Sequence, residues 1–185
     1  MKVTQELKNE HRGIEQMLRV LSAISEKVGR GAPLHAEHMD GIMEFLAVFV
    51  DKCHHGKEEE FLFPALEAAG VPREGGPIGV LLNEHEQGRQ LVALLKGFVA
   101  DYRSGDPQAG AGIQRVAKEY VELLKQHIAK EDNVLFPMAD AKLDAARDTK
   151  LFEDFEKLER ERIGVGKHEA FHALLDQLQG IYLDD

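Results

Sequence analysis

The chain has 185 residues and a net charge of −10, because 33 Asp and Glu residues oppose 23 Lys and Arg residues. Such an acidic surface repels the phosphates of nucleic acids and of anionic membranes, so neither is expected as a partner. The single cysteine, Cys53, excludes an internal disulfide framework and suits a reducing compartment, so we expect a cytoplasmic protein. The first six residues contain no apolar stretch of the kind that secretory signals carry.

Apolar residues recur at helical spacing along nearly the whole chain, and no segment shows the alternation typical of a β-strand. Turn-rich stretches of Gly and Pro, together with Pro64, separate four such helical stripes. We therefore predict an all-α, up-down-up-down four-helix bundle over residues 1–145. The stripes, in chain order, cover residues 7–21, 39–61, 81–102 and 113–134.

Beyond the bundle, residues 146–185 are predicted to form a C-terminal helical extension. One helix is expected over residues 149–162 and another over residues 167–183, separated by Gly164-Val165-Gly166. The sequence leaves two arrangements open for this pair. The helices pack on or beside the bundle, or they form a dimer surface in a homo-oligomer.

The chain contains a weak internal repeat. Residues 54–64 align with residues 127–137, 73 residues later, and the two segments share His, Lys, Glu, Leu, Phe and Pro at matched positions. Upstream of each segment lies the tripeptide Asn-Glu-His, at residues 9–11 and again at residues 83–85. Each half is therefore predicted to be a helix pair. A pseudo-twofold bundle of such pairs brings their polar side chains together, as in carboxylate-bridged two-metal sites.

The polar side chains of this repeat suit metal binding. A His and a Glu four positions apart lie on one helix face, so each His-x-x-x-Glu presents a nitrogen and a carboxylate together. Burying such groups without a partner is costly, and a pair of metal ions removes that cost. Mixed imidazole and carboxylate ligands suit iron, manganese or zinc. The predicted terminal ligands are His11, His54, His85 and His127, and the predicted bridging ligands are Glu58 and Glu131.

His55 is a further predicted metal ligand. Two histidines per metal, two bridging carboxylates and a bridging oxygen leave one position on each metal for dioxygen, peroxide or nitric oxide. His55 follows His54 by one residue, about 100° around the helix, and could occupy one of those positions. A solvated histidine is the alternative interpretation.

These motifs resemble those of hemerythrin-like proteins, the HHE cation-binding family. The resemblance covers residues 4–140 and depends on His11, His85 and the two His-x-x-x-Glu segments. It implies a four-helix bundle that holds a non-heme di-iron centre, with two iron ions joined by an oxo or hydroxo bridge. Manganese and zinc remain alternatives.

The chain departs from the oxygen-carrying hemerythrins at one clear position. Those proteins place a second His one turn after the third-helix His, where this chain has Arg89. They also use an Asp five residues after the fourth-helix His, and Asp132 has that spacing, so Asp132 stays an alternative to Glu131. The missing histidine favours catalysis or sensing over oxygen carriage.

Three classes of function fit this site. The first is a module that binds dioxygen, nitric oxide or peroxide, or senses iron or redox state. The second is a di-iron oxidoreductase for peroxide breakdown, nitric oxide reduction or iron-centre repair, and the third is a structural zinc site. Outside the site, we expect Glu59 on a solvated face, and we interpret His168 and His172 as a helix-surface pair rather than a second metal site.

Overall fold

The computed structural model describes residues 1–164 and 166–183, and within these residues it contains helices and no β-strand. This confirms the predicted all-α class. We number the continuous helices α1 to α6. They are α1 (Lys2–Gly29), α2 (residues 36–68), α3 (Pro77–Arg103), α4 (residues 109–142), α5 (residues 145–163) and α6 (Lys167–Tyr182).

The first four helices run alternately up and down. His11, in the first half of α1, contacts His54 in the second half of α2, so these helices are antiparallel. Glu59, in the second half of α2, contacts His85 in the first half of α3, and His85 contacts His127 in the second half of α4. Each successive helix therefore reverses direction, as the short links between the predicted helices require.

Turn residues explain where the helices end. Gly31, Gly70 and Gly105 follow α1, α2 and α3, and each has a positive φ that residues with a side chain rarely adopt. Pro77 stands in the first turn of α3, where its missing N–H leaves no hydrogen bond unmade.

Pro64 does not end a helix, contrary to the sequence-based expectation. The π-helical turn Glu58–Leu62 precedes it, and α2 continues through Phe63–Ala68. The matching turn in α4, Glu131–Leu135, precedes Pro137 in the same way. A proline ring clashes with the preceding turn of a regular α-helix, and the wider π-helical turn relieves that clash.

The bundle has two apolar clusters with a polar layer between them. Along α1, Leu7 belongs to the smaller cluster and Ile14 to the larger one, and His11 lies between these two residues. The same order holds along α3, where His85 follows Leu81 of the smaller cluster and precedes Leu95 of the larger one. The clusters therefore exclude water from both sides of the polar layer.

The C-terminal helices pack on α1 and extend both clusters. Phe155 of α5 is fully buried in the smaller cluster, whereas Phe171 and Leu178 of α6 belong to the larger one. Asp148 of α5 accepts hydrogen bonds from the backbone N–H groups of Lys2 and Val3, so it covers the start of α1. No helix in the described part of the chain is long and apolar enough to cross a lipid bilayer.

Candidate metal centre

The structure brings the six side chains of the repeat together in one buried layer. Each is at most 2% exposed. The Nε2 atoms of His11 and His54 are 3.0 Å apart, and those of His85 and His127 are 3.1 Å apart. The remaining members of the layer are Glu58 and Glu131.

The six side chains form two groups of potential ligands that share both carboxylates. In each group the ligand atoms all lie within 4.8 Å of one another. Each half of the repeat therefore contributes one pair of histidines and one shared glutamate. The groups are His11, His54, Glu58 and Glu131, and Glu58, His85, His127 and Glu131.

His55 also lies in this layer. Its ring stacks on that of His85 with the centroids 3.8 Å apart, and it forms a third donor group with His85 and His127. The side chain is buried, and neither ring nitrogen has a hydrogen-bond partner among the residues that the structure describes. Burial, reinforced by the neighbouring imidazoles, lowers the pKa of His55 well below its ordinary value. His55 is therefore a neutral donor next to the second histidine pair.

Four carboxylates hold the outward nitrogens of the four paired histidines. Because a carboxylate accepts, each bond fixes the proton on Nδ1 and leaves Nε2 directed into the layer. This arrangement orients the imidazoles as ligands and raises their basicity. The pairs, with their Nδ1-to-oxygen distances, are His11–Asp132 (2.8 Å), His54–Glu10 (2.8 Å), His85–Glu59 (2.7 Å) and His127–Glu84 (2.9 Å).

The geometry favours Glu131 over Asp132 as the inward-facing carboxylate. The two oxygens of Glu131 lie 3.1 Å from Nε2 of His11 and 3.2 Å from Nε2 of His127, whereas Asp132 contacts only the outward side of His11. The corresponding residue of the first half, Glu59, is not a solvated acid as expected, because it accepts from Nδ1 of His85. The acidic residue after each repeated glutamate therefore accepts a hydrogen bond from a histidine of the opposite half.

The outward carboxylates Glu10 and Glu84 were not identified from the sequence. They are the central residues of the two Asn-Glu-His tripeptides, so the repeat itself carried the signal. The same is true of the lysine that precedes each repeated glutamate. Lys57 binds Glu10, and Lys130 binds Glu84.

Charge within the layer alters the protonation of its histidines in the metal-free protein. Burial lowers the pKa of His11, but the hydrogen bond to Asp132 and the charge of Glu131 outweigh burial and raise that pKa to about 9. Burial also lowers the pKa of His127, but the charge of Glu131 and the hydrogen bond to Glu84 raise that pKa to about 10. Burial raises the pKa of Glu131, but the facing imidazoles hold it well below its ordinary value. In the metal-free protein His11 and His127 therefore form a charge network with the negative carboxylate of Glu131.

Arg89 and the two C-terminal histidines lie outside this layer. The Arg89 guanidinium donates to Asp51 at 2.8 Å and to Glu59 at 2.5 Å, so the position at which oxygen carriers place a histidine holds an ion pair. His168 and His172 face each other with ring centroids 4.7 Å apart beside a surface cavity. Within residues 1–164 and 166–183, neither joins a group of potential metal ligands.

Comparison with known proteins identifies the family. Residues 2–139 match the hemerythrin HHE cation-binding domain. An uncharacterized protein of Mycobacterium tuberculosis is 23% identical over 177 residues, which cover 96% of this chain and 68% of that protein. No solved structure matches the chain significantly.

Shorter matches connect the chain to a named protein. The iron-sulfur cluster repair protein YtfE of Dickeya chrysanthemi is 32% identical over 88 residues, which cover 46% of this chain and 40% of YtfE. The YtfE of Salmonella paratyphi B is 31% identical over 104 residues, which cover 54% of this chain and 47% of that protein. The family match spans the whole buried layer, from His11 to Glu131, and the chain belongs to the hemerythrin HHE cation-binding family, whose domains hold a metal centre.

Proposed function

We propose that the protein holds a non-heme di-iron centre that binds a small ligand, such as dioxygen, nitric oxide or peroxide, or that senses iron or redox state. The observation that carries this proposal is the state of Glu58 and Glu131. Both carboxylates are completely buried, and within residues 1–164 and 166–183 no contact to their four oxygens has both the distance and the angle of a hydrogen bond. Buried acceptors without partners are rare and costly, so these oxygens fit ligands of metal ions.

The two donor groups define which residues would hold each metal. In this proposal His11 and His54 hold the first metal, and His85, His127 and His55 hold the second. Glu58 and Glu131 belong to both groups and would bridge the pair. Imidazole and carboxylate donors suit iron, with manganese and zinc as alternatives. The bridging oxygen of the expected oxo or hydroxo group belongs to the same proposal.

A bound di-iron centre supplies redox chemistry and sites for a small external ligand. The chain's own residues orient the imidazoles through four carboxylates and exclude water through the two apolar clusters. A site enclosed in this way strengthens every charge interaction within it.

A narrow cleft between α2 and α3 supports the small-ligand proposal. Its volume is about 110 Å³, and Leu46, Val50 and Val92 give it apolar walls. His55 lines the cleft from α2, and Arg89 lines it from α3. A cavity needs roughly 10–15 Å³ of such volume to hold one water, so the cleft has room for a diatomic molecule or peroxide.

An oxidoreductase is the second candidate function. The relatives named as iron-sulfur cluster repair proteins favour iron-centre repair among the reactions that open metal positions would support. Peroxide breakdown and nitric oxide reduction belong to the same class.

The buried, unpaired thiol of Cys53 suits the cytoplasm, where we place the protein.

Metal analysis with an optical spectrum of the purified protein tests the proposal. We expect two irons per chain and near-ultraviolet oxo-to-iron absorption, whereas a colourless protein with zinc would indicate a structural site. Replacing His54 and His127 together (H54A, H127A) should abolish metal binding and lower the melting temperature. The exposed His35 provides the control, because H35A should leave both metals in place. An unchanged metal content in the double variant would refute the ligand assignment.

His55 requires a separate test. The aligned residue in the second half is Ile128, so the substitution His55→Ile makes the two halves alike at this position. We expect two irons to remain bound and the spectrum, or the binding of azide, to change. An unaltered spectrum would exclude His55 as a ligand and would leave the other six residues unaffected.

A further inference from the structure

The two halves repeat a chain of contacts that lies outside the donor layer. In the first half Glu10 holds Nδ1 of His54 through one carboxylate oxygen and accepts from Lys57 at 2.6 Å through the other. In the second half Glu84 holds His127 and Lys130 in the same way. The repeated lysines therefore secure the carboxylates that orient one histidine of each pair.

The two lysines differ in what covers them. Lys57 is 0% exposed, whereas the side chain of Lys130 is 44% exposed. Lys57 also donates to Glu6 of α1 at 2.6 Å and to Glu159 of α5 at 3.3 Å, and its ammonium lies 5.5 Å from the ring centroid of Phe155. The C-terminal extension therefore contacts the lysine of the first half directly. In the part of the chain that the structure describes, it makes no such contact with Lys130 of the second half.

The cluster around Lys57 is not a third metal site. Glu10, Cys53 and Glu159 place three donor atoms within 4.8 Å of one another, as a metal site would. The Lys57 ammonium already binds two of these residues and supplies the positive charge. Its role is therefore to fix the carboxylates around it.

We propose that Lys57 and Glu159 are positioning residues for the metal held by His11 and His54. The cover supplied by α5 outweighs the third imidazole that His55 would give the neighbouring metal, so the first metal is the slower one to leave. The inference depends on the proposed dinuclear centre. Release of the first metal requires His54 to turn away, and Glu10 holds that ring. Glu10 is itself clamped by a buried lysine that α5 covers. Lys130 is 44% exposed, so water can replace its contact with Glu84.

Chelator-driven iron release from the full chain, loaded anaerobically with two Fe(II) ions, tests the inference. Wild-type protein should release iron in two phases of equal amplitude. Loss of the direct hydrogen-bond partner of a ligand typically changes metal affinity by 10–100-fold, and Glu159 lies two contacts beyond that partner, Glu10. Glu159→Gln should therefore accelerate the slow phase by a smaller factor, at most roughly tenfold. The fast phase should keep its rate.

Two control variants assign the phases. Lys130→Met removes the equivalent lysine of the second half and should accelerate only the fast phase. Glu156 lies one turn before Glu159, and both residues line the surface cavity beside His168 and His172. Of the two, only Glu159 binds Lys57. Glu156→Gln should therefore release iron at wild-type rates.

A spectroscopic measurement separates positioning from general stability. In the Fe(II)-loaded protein, the exchangeable Nδ1–H protons of the ligand histidines give strongly shifted NMR resonances. Glu159→Gln should move the resonance of His54 and leave that of His127 in place, and Lys130→Met should do the reverse. A lower melting temperature with unmoved resonances and unchanged release would indicate a merely structural residue and overturn the inference.

The outcomes also distinguish the inference from the proposed function. A protein that binds fewer than two irons per chain contradicts the dinuclear centre and the inference with it. Two other outcomes overturn the inference alone and leave the dinuclear centre supported. In the first, the protein binds two irons and releases both at one rate. In the second, Glu159→Gln does not change the rate of iron release.

Discussion

The two halves of the repeat present matching donors to the buried layer, but they differ in what lies outside it. Lys57 of the first half is sealed beneath α5, whereas Lys130 of the second half reaches solvent. The short repeated motif therefore fixes the arrangement of the donors. The parts of the chain that are not repeated set the difference between the two halves.

A second difference arises within the repeat itself. Position 55 is a histidine, and the aligned position 128 is an isoleucine that belongs to the larger apolar cluster. His55 stacks on His85, which belongs to the other half. The second histidine pair thus gains a third imidazole, and the first pair gains a buried ion cluster. The repeated pattern of donors therefore has two unequal environments in this chain.

Replacing the two lysines one at a time should give the largest difference in stability between the two halves. Lys57→Met leaves Glu6, Glu10 and Glu159 without their shared cation. Breaking a buried ion pair costs roughly 3–5 kcal/mol, so the free energy of unfolding should fall by about that amount. Lys130→Met removes an exposed contact and should cost less than about 1 kcal/mol. Urea denaturation of both metal-free variants measures the two values.

Equal losses of stability in the two lysine variants would contradict the comparison. They would mean that the cover supplied by α5 has no energetic consequence. A second measurement keeps the test informative should Lys57→Met fail to fold. In that case the milder Glu159→Gln, compared with Glu156→Gln, should still show the greater loss of stability.

The pH dependence of stability should reveal a property that both halves share. In the metal-free protein the pKa is about 9 for His11 and about 10 for His127, above the ordinary value of 6.5. Groups with a raised pKa stabilise the folded state fully below pH 6.5, and this stabilisation is lost as the pH rises through those two values. Each histidine can remove up to about 1.4 kcal/mol per pH unit in that window.

Urea titrations of the metal-free protein between pH 6 and pH 10 measure this loss, with roughly one-unit steps being sufficient to resolve it. The metal-loaded protein is the control, because histidines bind metals in the neutral form and their protons have already been released. A metal-free protein of constant stability across this range would show that its buried histidines are neutral. The charge network in the layer would then be wrong.

The sequence could predict which side chains meet in the buried layer, because their signal is local. A His and a Glu four positions apart share a helix face, and the repetition of the pair indicated that both belong to one site. Contacts between distant segments carry no such signal. Nothing around Lys57 indicates that Glu159, 102 residues later, would bind it. Pro64 was misassigned to a loop because spacing alone does not reveal a π-helical turn.

The smallest expected effect concerns Gly56, which lies inside the repeated segment of the first half. Gly56 aligns with Ala129, and α5 approaches it closely. A Cβ at position 56 would lie 3.5 Å from Cδ1 of Leu158, which is ordinary contact. Gly56→Ala should therefore stabilise the metal-free protein by about 0.5–1 kcal/mol through helix propensity, and Ala129→Gly should destabilise it by a similar amount. Urea denaturation measures both changes. If Gly56→Ala destabilises while Ala129→Gly behaves as expected, α5 packs on α2 too tightly to admit even one methyl group, and the first half is more rigidly covered than its contacts indicate.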